Sequence, residues 1–388
     1  MSKSKLQAAQ RAIVAALSQH AAYSYRASSA AVNQIHKEVD KLARALTASL
    51  AERLGDLTDA EMQAFVAGRY TTPRLRALKS EIDDWGKALG KTIRERWKVS
   101  AEQLARYESK YVADLMGNVL EGKKAPVGTA VILAQAARQP IMGDLVSDLL
   151  ADIAPNVRKR IYSTIRQGLS EGQSNSQIIR ALRGTPAMRY RDGLMQLARR
   201  DVERVVRTAR NHVSNTAYEE TYKALGVRYV VWTSTLEGRT CAACAAMDGK
   251  RFKIGESHQR PPVHPNCRCM LSPVLDDEVI GNRPYVRALK VKKRDGSYDF
   301  RGIGDMTQKQ REEAGLKVGQ VEAKTTFSSW FSNQDTEFQK QWLGPSRYKL
   351  YRDGDYSLER FVDPLGKQYT LSELRQRDAK TFKEIFGD

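Results

Sequence analysis

Residues 240–269 read TCAACAAMDGKRFKIGESHQRPPVHPNCRC, and this stretch holds all four cysteines of a 388-residue chain. Cys241 and Cys244 form a C-x2-C knuckle, 22 residues separate Cys244 from Cys267, and His264, Cys267 and Cys269 close the stretch as H-x2-C-x-C. Thiolate and imidazole are the donors that Zn2+ prefers, and four of them at tetrahedral angles make a closed structural site without a place for water. Five candidates compete for four places, so the expected ligands are Cys241, Cys244, Cys267 and one of His264 or Cys269. Cys267 and Cys269 lie two apart on an extended segment, on the same side but in a tighter geometry. The alternatives are two disulfides, four buried free thiols, or a redox pair at Cys241 and Cys244. A redox C-x2-C should open a helix after a strand, whereas this one is read as leading into a Gly-rich hairpin, which argues against thiol catalysis.

Outward from the cysteines, VRYVVWTST (227–235), GKRFKIG (249–255) and CRCMLSPVL (267–275) are rich in β-branched and apolar residues between Gly and Pro clusters, and predict three strands. So small a β unit cannot bury enough surface to stand alone, and a bound ion would supply the deficit. Upstream, helix formers dominate to about residue 115. Ile82, Trp85, Leu89, Ile93 and Trp97 share one face, as do Leu104, Tyr107, Tyr111 and Leu115. Thr58 with Glu61 predicts a capping box, and Ser100 with Gln103 predicts another that would open a separate helix. Val157, Ile161, Ile165 and Leu169 mark a further helix ended by Gly168 and SEGQSNS. A short helix with Ile178, Ile179 and Leu182 follows, then a break at 184–186, then a long helix from Asp192 to about Ala224 closed by Gly226. The predicted class is α+β, mainly α, with long helices and a small antiparallel β subdomain stabilised by the Cys/His cluster. The predicted segments are 1–126, 127–186, 187–275 and, as a basic linker with a C-terminal extension, 276–388. The linker reading rests on Asp276, Asp277 and Glu278 followed by the Lys/Arg run from Arg287 to Arg294.

Charge adds a second line of inference. Against 45 Asp+Glu stand 64 Lys+Arg, a net charge of +19 that calls for an anionic partner. Residues 158–210 hold thirteen basic side chains, twelve of them arginine, and four acidic ones, a local net of +9. Guanidinium grips phosphate through paired hydrogen bonds, so Arg199, Arg200, Arg204, Arg207 and Arg210 are candidate contacts to double-stranded DNA. No base-reading motif accompanies them, and a solvated helix face or an acidic protein partner is the plainer alternative. No run reaches the roughly 18–20 apolar residues of a membrane helix, and the first residues lack a signal-peptide pattern, so a soluble chain without a membrane partner is expected. Gly86, Gly90, Lys91 and Thr92 resemble a phosphate loop but sit in a helical pattern with one residue too few between the glycines. His20, His36 and His212 fall on helices without evident partners and read as ordinary surface or core residues.

RTARNHVSNTAYEETYKALGV, then VVWTSTLEGRTCAACAAMDGKRF, then PPVHPNCRCML resemble, in that order over roughly 187–275, the phage head morphogenesis family, the Mu protein F-like minor head proteins. Residues 325–375 are similar to a C-terminal extension found in part of that family. The resemblance implies a non-enzymatic minor capsid protein of a tailed phage that binds the portal during procapsid assembly and contacts packaged DNA. It implies a place inside the virion head near the portal vertex, reached from the host cytoplasm, with the scaffold or major capsid protein as further candidate partners. It makes Cys241, Cys244, His264, Cys267 and Cys269 the metal or structural cluster, and Trp232, Asp248 and Gly249 its scaffold.

Two competing functions have distinct signatures. A zinc-knuckle nuclease of the ββα-metal type would use His258, His264 and Asp248, although no His-His or Asp-His pair precedes the hairpin. A thiol oxidoreductase would use Cys241 and Cys244, one of them unusually acidic.

Overall fold

A computed structural model describes residues 3–120, 125–275, 281–293, 295–364 and 366–387. The acidic run Asp276, Asp277 and Glu278, and Arg294, lie outside the described residues. Two long helices, α1 (Lys3–Gly55) and α3 (Pro73–Val119), flank the short α2 (Asp59–Val66). The predicted capping box opens α2: Thr58 N donates to Glu61 Oε2 at 3.0 Å and Glu61 N donates to Thr58 Oγ1 at 3.3 Å. Thr72 caps α3 and also donates to Glu61 Oε1 at 2.7 Å, joining two helix starts through one carboxylate.

The cap predicted at Ser100 is not made, because α3 runs through it without a break. The flanking KVSAEQLA has no Gly or Pro to stop a helix, and Ser100 Oγ instead accepts from Arg210 Nη1 at 2.7 Å. Gly86 and Gly90 are buried inside α3, where a Cβ on Gly86 would sit 3.2 Å from Arg158 Cδ.

Next come α4 (Thr129–Arg138), α5 (Val146–Ala151), α6 (Ile153–Ser170), α7 (Asn175–Arg183) and α8 (Met195–Ala224). One core joins Ile35, Leu46 and Leu50 of α1 to Ile82, Leu89 and Ile93 of α3, Val157, Ile161 and Ile165 of α6, and Val202 and Val206 of α8. Each such side chain contributes about 1.5–3 kcal/mol by leaving water. Segments expected to divide at 126/127 and 186/187 thus share a single interior. The three helical histidines have partners after all: His20 Nε2 meets Glu108 Oε2 at 2.7 Å, while His36 Nε2 and His212 Nε2 bond the carbonyls of Arg199 and Ala136 at 2.9 Å each. Glu108 is itself 1% exposed, and Tyr218 OH donates to its Oε2 at 2.9 Å.

The three predicted strands form one antiparallel sheet, with β1 (Tyr229–Thr233) between β3 (Arg251–Lys253) and β4 (Met270–Val274). Trp232 faces Leu271 and Val230 faces Phe252 across it. Between β1 and β3 lie β2 (Leu236–Glu237) and a short helix, α9 (Ala242–Met247). Under this sheet Trp232, Leu271, Cys244, Cys267 and Cys269 pack against Ile13 and Leu17 of α1, Val112 and Met116 of α3, and Tyr222 of α8. Gln10 of α1 closes the arrangement: its Nε2 donates to Pro273 O at 2.8 Å and its Oε1 accepts from Leu275 N at 2.9 Å.

Short strands interrupt the expected basic linker. β5 (Asn282–Arg287) pairs antiparallel with β8 (Lys317–Glu322) and parallel with β2, and β6 (Val291–Lys292) pairs with β7 (Tyr298–Asp299). Arg283, just before the expected run, and Arg287, its first residue, are 4% and 8% exposed, and Arg287 Nη1 donates to the carbonyls of Ala314 and Gly315, whereas Lys290 and Lys293 are half-buried and Lys292 is exposed. After α10 (Gln308–Glu313) and β8, the extension folds as α11 (Phe327–Ser332), α12 (Thr336–Leu343), α13 (Pro345–Asp353), α14 (Leu371–Arg377) and α15 (Ala379–Phe386). Phe327, Trp330, Phe331, Phe338 and Phe361 form its core. Among the described residues no helix is long and apolar enough to cross a membrane.

Candidate metal centre

The C-x2-C does open a helix, which corrects the hairpin reading and removes that argument against thiol chemistry. Cys241 is the N-cap of α9, and its Sγ accepts from Cys244 N at 3.4 Å. The reason is local: AACAAM is rich in the best helix former, and the turn glycine, Gly249, comes only after it.

All four cysteines are free, and the chain brings all five expected donors together. They fall into two triads that share Cys244: Cys241, Cys244 and His264, and Cys244, Cys267 and Cys269, with the donor atoms of each triad within 4.8 Å of one another. Cys244 Sγ lies 3.7 Å from Cys267 Sγ and 3.1 Å from His264 Nε2. Two sulfurs each about 2.3 Å from a tetrahedral Zn2+ would stand about 3.8 Å apart, so the sulfur edge has the right length. The donor set is mixed S/N, buried at Cys244, Cys267 and Cys269 and half-buried at Cys241 and His264, which suits zinc.

Crowding sets the electrostatics. A hydrogen bond from Cys244, joined by His264 and opposed by burial, holds the Cys241 thiol down to about 5. Hydrogen bonds from Cys241, Cys267 and Cys269 push Cys244 up, and burial pushes Cys269 up. Burial also opposes ionisation of Cys267, but hydrogen bonds from Cys244, Cys269 and His264 bring it well below the ordinary thiol range. His264 is lowered by burial, yet its contacts with Cys241 and Cys267 outweigh this and raise it to about 11. Neighbouring thiolates repel, so the four sulfurs resist ionising together, and a divalent cation would let them do so.

A stripe on α8 holds the second half of the cluster. Asn266 N donates to Thr208 Oγ1 at 2.9 Å, Asn211 Nδ2 donates to Cys267 O at 2.9 Å, and Asn215 takes Leu271 N on its Oδ1 at 3.0 Å while giving Nδ2 to Cys269 O at 3.2 Å. One turn on, Glu219 accepts from Arg260 Nε at 2.6 Å and contacts His258 Nε2 at 3.3 Å. Burial works against its ionised form, but those two partners hold Glu219 down to about 2. Thr208, Asn211, Asn215 and Glu219 are spaced three, four and four apart, one face of the helix. Two asparagines in mid-helix run against propensity, and that was the available sequence signal.

Trp232, Asp248 and Gly249 are placed around the cluster through Ser234, which the sequence reading did not single out. Ser234 Oγ accepts from Trp232 Nε1 at 3.0 Å and from Cys269 Sγ at 3.3 Å, and donates to Cys244 O at 2.7 Å. The Asp248 carboxylate has no solvent exposure and takes Ser234 N and Phe327 N at 2.6 Å each. Arg283 completes its shell, Nη1 to Oδ2 at 2.9 Å and Nη2 to Oδ1 at 3.1 Å. Asp248 therefore pins the knuckle to β5 and to the start of α11. Gly249 adopts φ +83°, and a Cβ there would lie 2.7 Å from Thr326 Cγ2.

The five candidate DNA contacts divide. Arg199 pairs with Asp40, Arg204 with Asp201 at 3.2 Å, and Arg207 with Glu203 at 2.8 Å. Arg210 turns inward to Ser100, and burial lowers its pKa. Arg200 and Arg204 are exposed. The three residues of the nuclease reading do not share a site: Asp248 is bound to Arg283, His258 stacks on Phe252 at 4.8 Å and contacts Glu219, and His264 faces Cys244.

Residues 159–272 match the family model described as phage Mu protein F like protein. The matched segment begins inside α6, upstream of the first residue of the sequence resemblance, and ends within β4, so it contains α8 and all five cluster donors. No curated protein and no solved structure matches the chain.

Proposed function

We propose that the chain, which matches the phage Mu protein F like model over residues 159–272, is a minor capsid protein of a tailed phage that binds the portal during procapsid assembly and contacts packaged double-stranded DNA. The observation that carries this reading is the family match, which covers the knuckle and the helix that holds it. The net charge of +19 supports a place beside DNA, and the portal contact is assigned to the helical N-terminal region.

In this reading the protein is a structural component rather than an enzyme. Zn2+ is held by Cys241, Cys244, Cys267 and one of His264 or Cys269. When bound, the ion supplies cross-linking: it joins the N-terminus of α9 to the segment entering β4. The chain's own residues do the rest, since Asn211 and Asn215 hold the carbonyls of Cys267 and Cys269 and Ser234 ties Cys269 to the α9 backbone. The mutually engaged donors, three of them buried, support a closed structural site over a catalytic one.

The test is genetic and biochemical. A phage carrying a nonsense allele of this gene should yield defective heads, normal heads should contain the protein, and immobilised portal should retain it. Normal infectious heads made without the protein would overturn the assignment.

A further inference from the structure

We propose that the loop between α7 and α8 is a preformed grip for the phosphate backbone of duplex DNA, with Arg180, Arg183, Arg189 and Arg191 as its contacts; this rests on the DNA contact proposed above and moves it off the α8 arginine stripe. Three of the five stripe arginines are spent on Asp40, Asp201 and Glu203, and Arg210 is turned inward. By contrast these four arginines, two in the last turn of α7 and two in the loop, are exposed, and among the described residues none of them forms an ion pair. Asp192, the loop's only acidic residue, is tied to Thr185, whose N and Oγ1 each donate to its carboxylate at 2.8 Å.

The loop is built rather than slack. At its base Gly184 and Gly193 meet so closely that a Cβ on Gly193 would lie 2.2 Å from Gly184 N. Leu194 N reaches back to Ala181 O at 2.9 Å, and Tyr190 N closes on Thr185 O at 2.8 Å. Arg189 and Tyr190 both adopt the left-handed region, at φ +50° and +58°, which costs energy for bulky side chains and persists only where surroundings impose it. The result is a tip that presents Met188 and Tyr190, 58% and 41% exposed, among the arginines. Arg183 lies 4.8 Å from the centre of the Tyr190 ring and its Nη2 donates to Tyr190 OH at 3.3 Å, which fixes its guanidinium at the exposed tip before any ligand arrives. Guanidinium favours phosphate through its planar fork, and a rigid display lowers the ordering cost of binding. The apolar pair would rest on sugar edges between phosphates.

The experiment titrates the full chain against a labelled 30-base-pair duplex over a range of salt concentrations. Each phosphate contact contributes about −0.9 to the slope of log K against log salt, so R183Q/R189Q/R191Q should make the slope less negative by about 2.7 and weaken binding by on the order of a hundredfold at 0.1 M salt. K309Q/K324Q/K380Q removes the same charge from exposed positions elsewhere and should leave the slope near that of the wild type. D192A keeps every arginine but opens the clasp, and should weaken binding severalfold with the slope unchanged. Wild-type binding with an unchanged slope in the loop variant, or an equal loss in the distant lysine variant, overturns the loop while leaving the DNA contact standing. A wild-type chain that does not bind duplex DNA overturns both.

Discussion

Asp248 offers the sharpest test of how the knuckle is attached to the rest of the chain. Replacing it with Ala removes a carboxylate without solvent exposure from two backbone N–H groups and from Arg283, whose side chain is 5% exposed. Breaking a buried ion pair from one side typically costs about 3–5 kcal/mol, because the remaining charge is stranded, and each orphaned buried N–H adds about 1–3 kcal/mol where water cannot reach it. These costs overlap, so the expected loss is about 4–6 kcal/mol for D248A. D248A/R283M removes the stranded guanidinium and should recover about 2–3 kcal/mol of that. The assay is urea unfolding followed by tryptophan fluorescence at fixed zinc concentration, with limited proteolysis reporting whether the extension beyond β4 is released first. A loss under about 1 kcal/mol in D248A, or a double variant no more stable than the single one, would refute the reasoning.

Three further outcomes are expected. Purified protein should carry about one zinc per chain, with thiols released by chelator, and the fourth ligand is whichever of H264A and C269S lowers zinc affinity most. G249A should cost about 1–3 kcal/mol in thermal or urea unfolding, since it meets both a positive φ and the Thr326 methyl, and T326S should relieve only the second part. Glu219 is held down to about 2, so its contribution is complete above its unfolded value near 4.5 and fades as pH falls from there towards 2. Roughly 3 kcal/mol should therefore separate wild type from E219Q at neutral pH and shrink across that acid window, and a difference independent of pH would show that His258 and Arg260 are not what holds the carboxylate.

Periodicity made the helices legible, since Val157, Ile161 and Ile165 or Ile82, Leu89 and Ile93 are buried as their spacing requires. Spacing likewise exposed the five donors. What escaped was whatever depended on a distant partner. Ser100 looks like a cap locally, and only Arg210, 110 residues away, shows why it is an interior residue. The run beginning at Arg287 looks like a solvated linker, because nothing in its own composition reveals the carbonyls of Ala314 and Gly315 that receive its guanidinium. For the same reason an arginine count could not separate the α8 side chains that Asp40 and Glu203 neutralise from those left facing water.

The clamp formed by Gln10 has a consequence for synthesis. Its two partners, Pro273 and Leu275, are 263 and 265 residues further along the chain, so the first turns of α1 can rest on α3 but cannot be clamped until the ribosome has released all of β4. At about 5–20 residues per second, the side of Ile13 and Leu17 that the sheet covers then waits roughly 13–50 s of translation for its partner. Chains stopped short of residue 275 would keep that side of α1 open, and nascent molecules crowded on one messenger would be the population most exposed to mispairing through it.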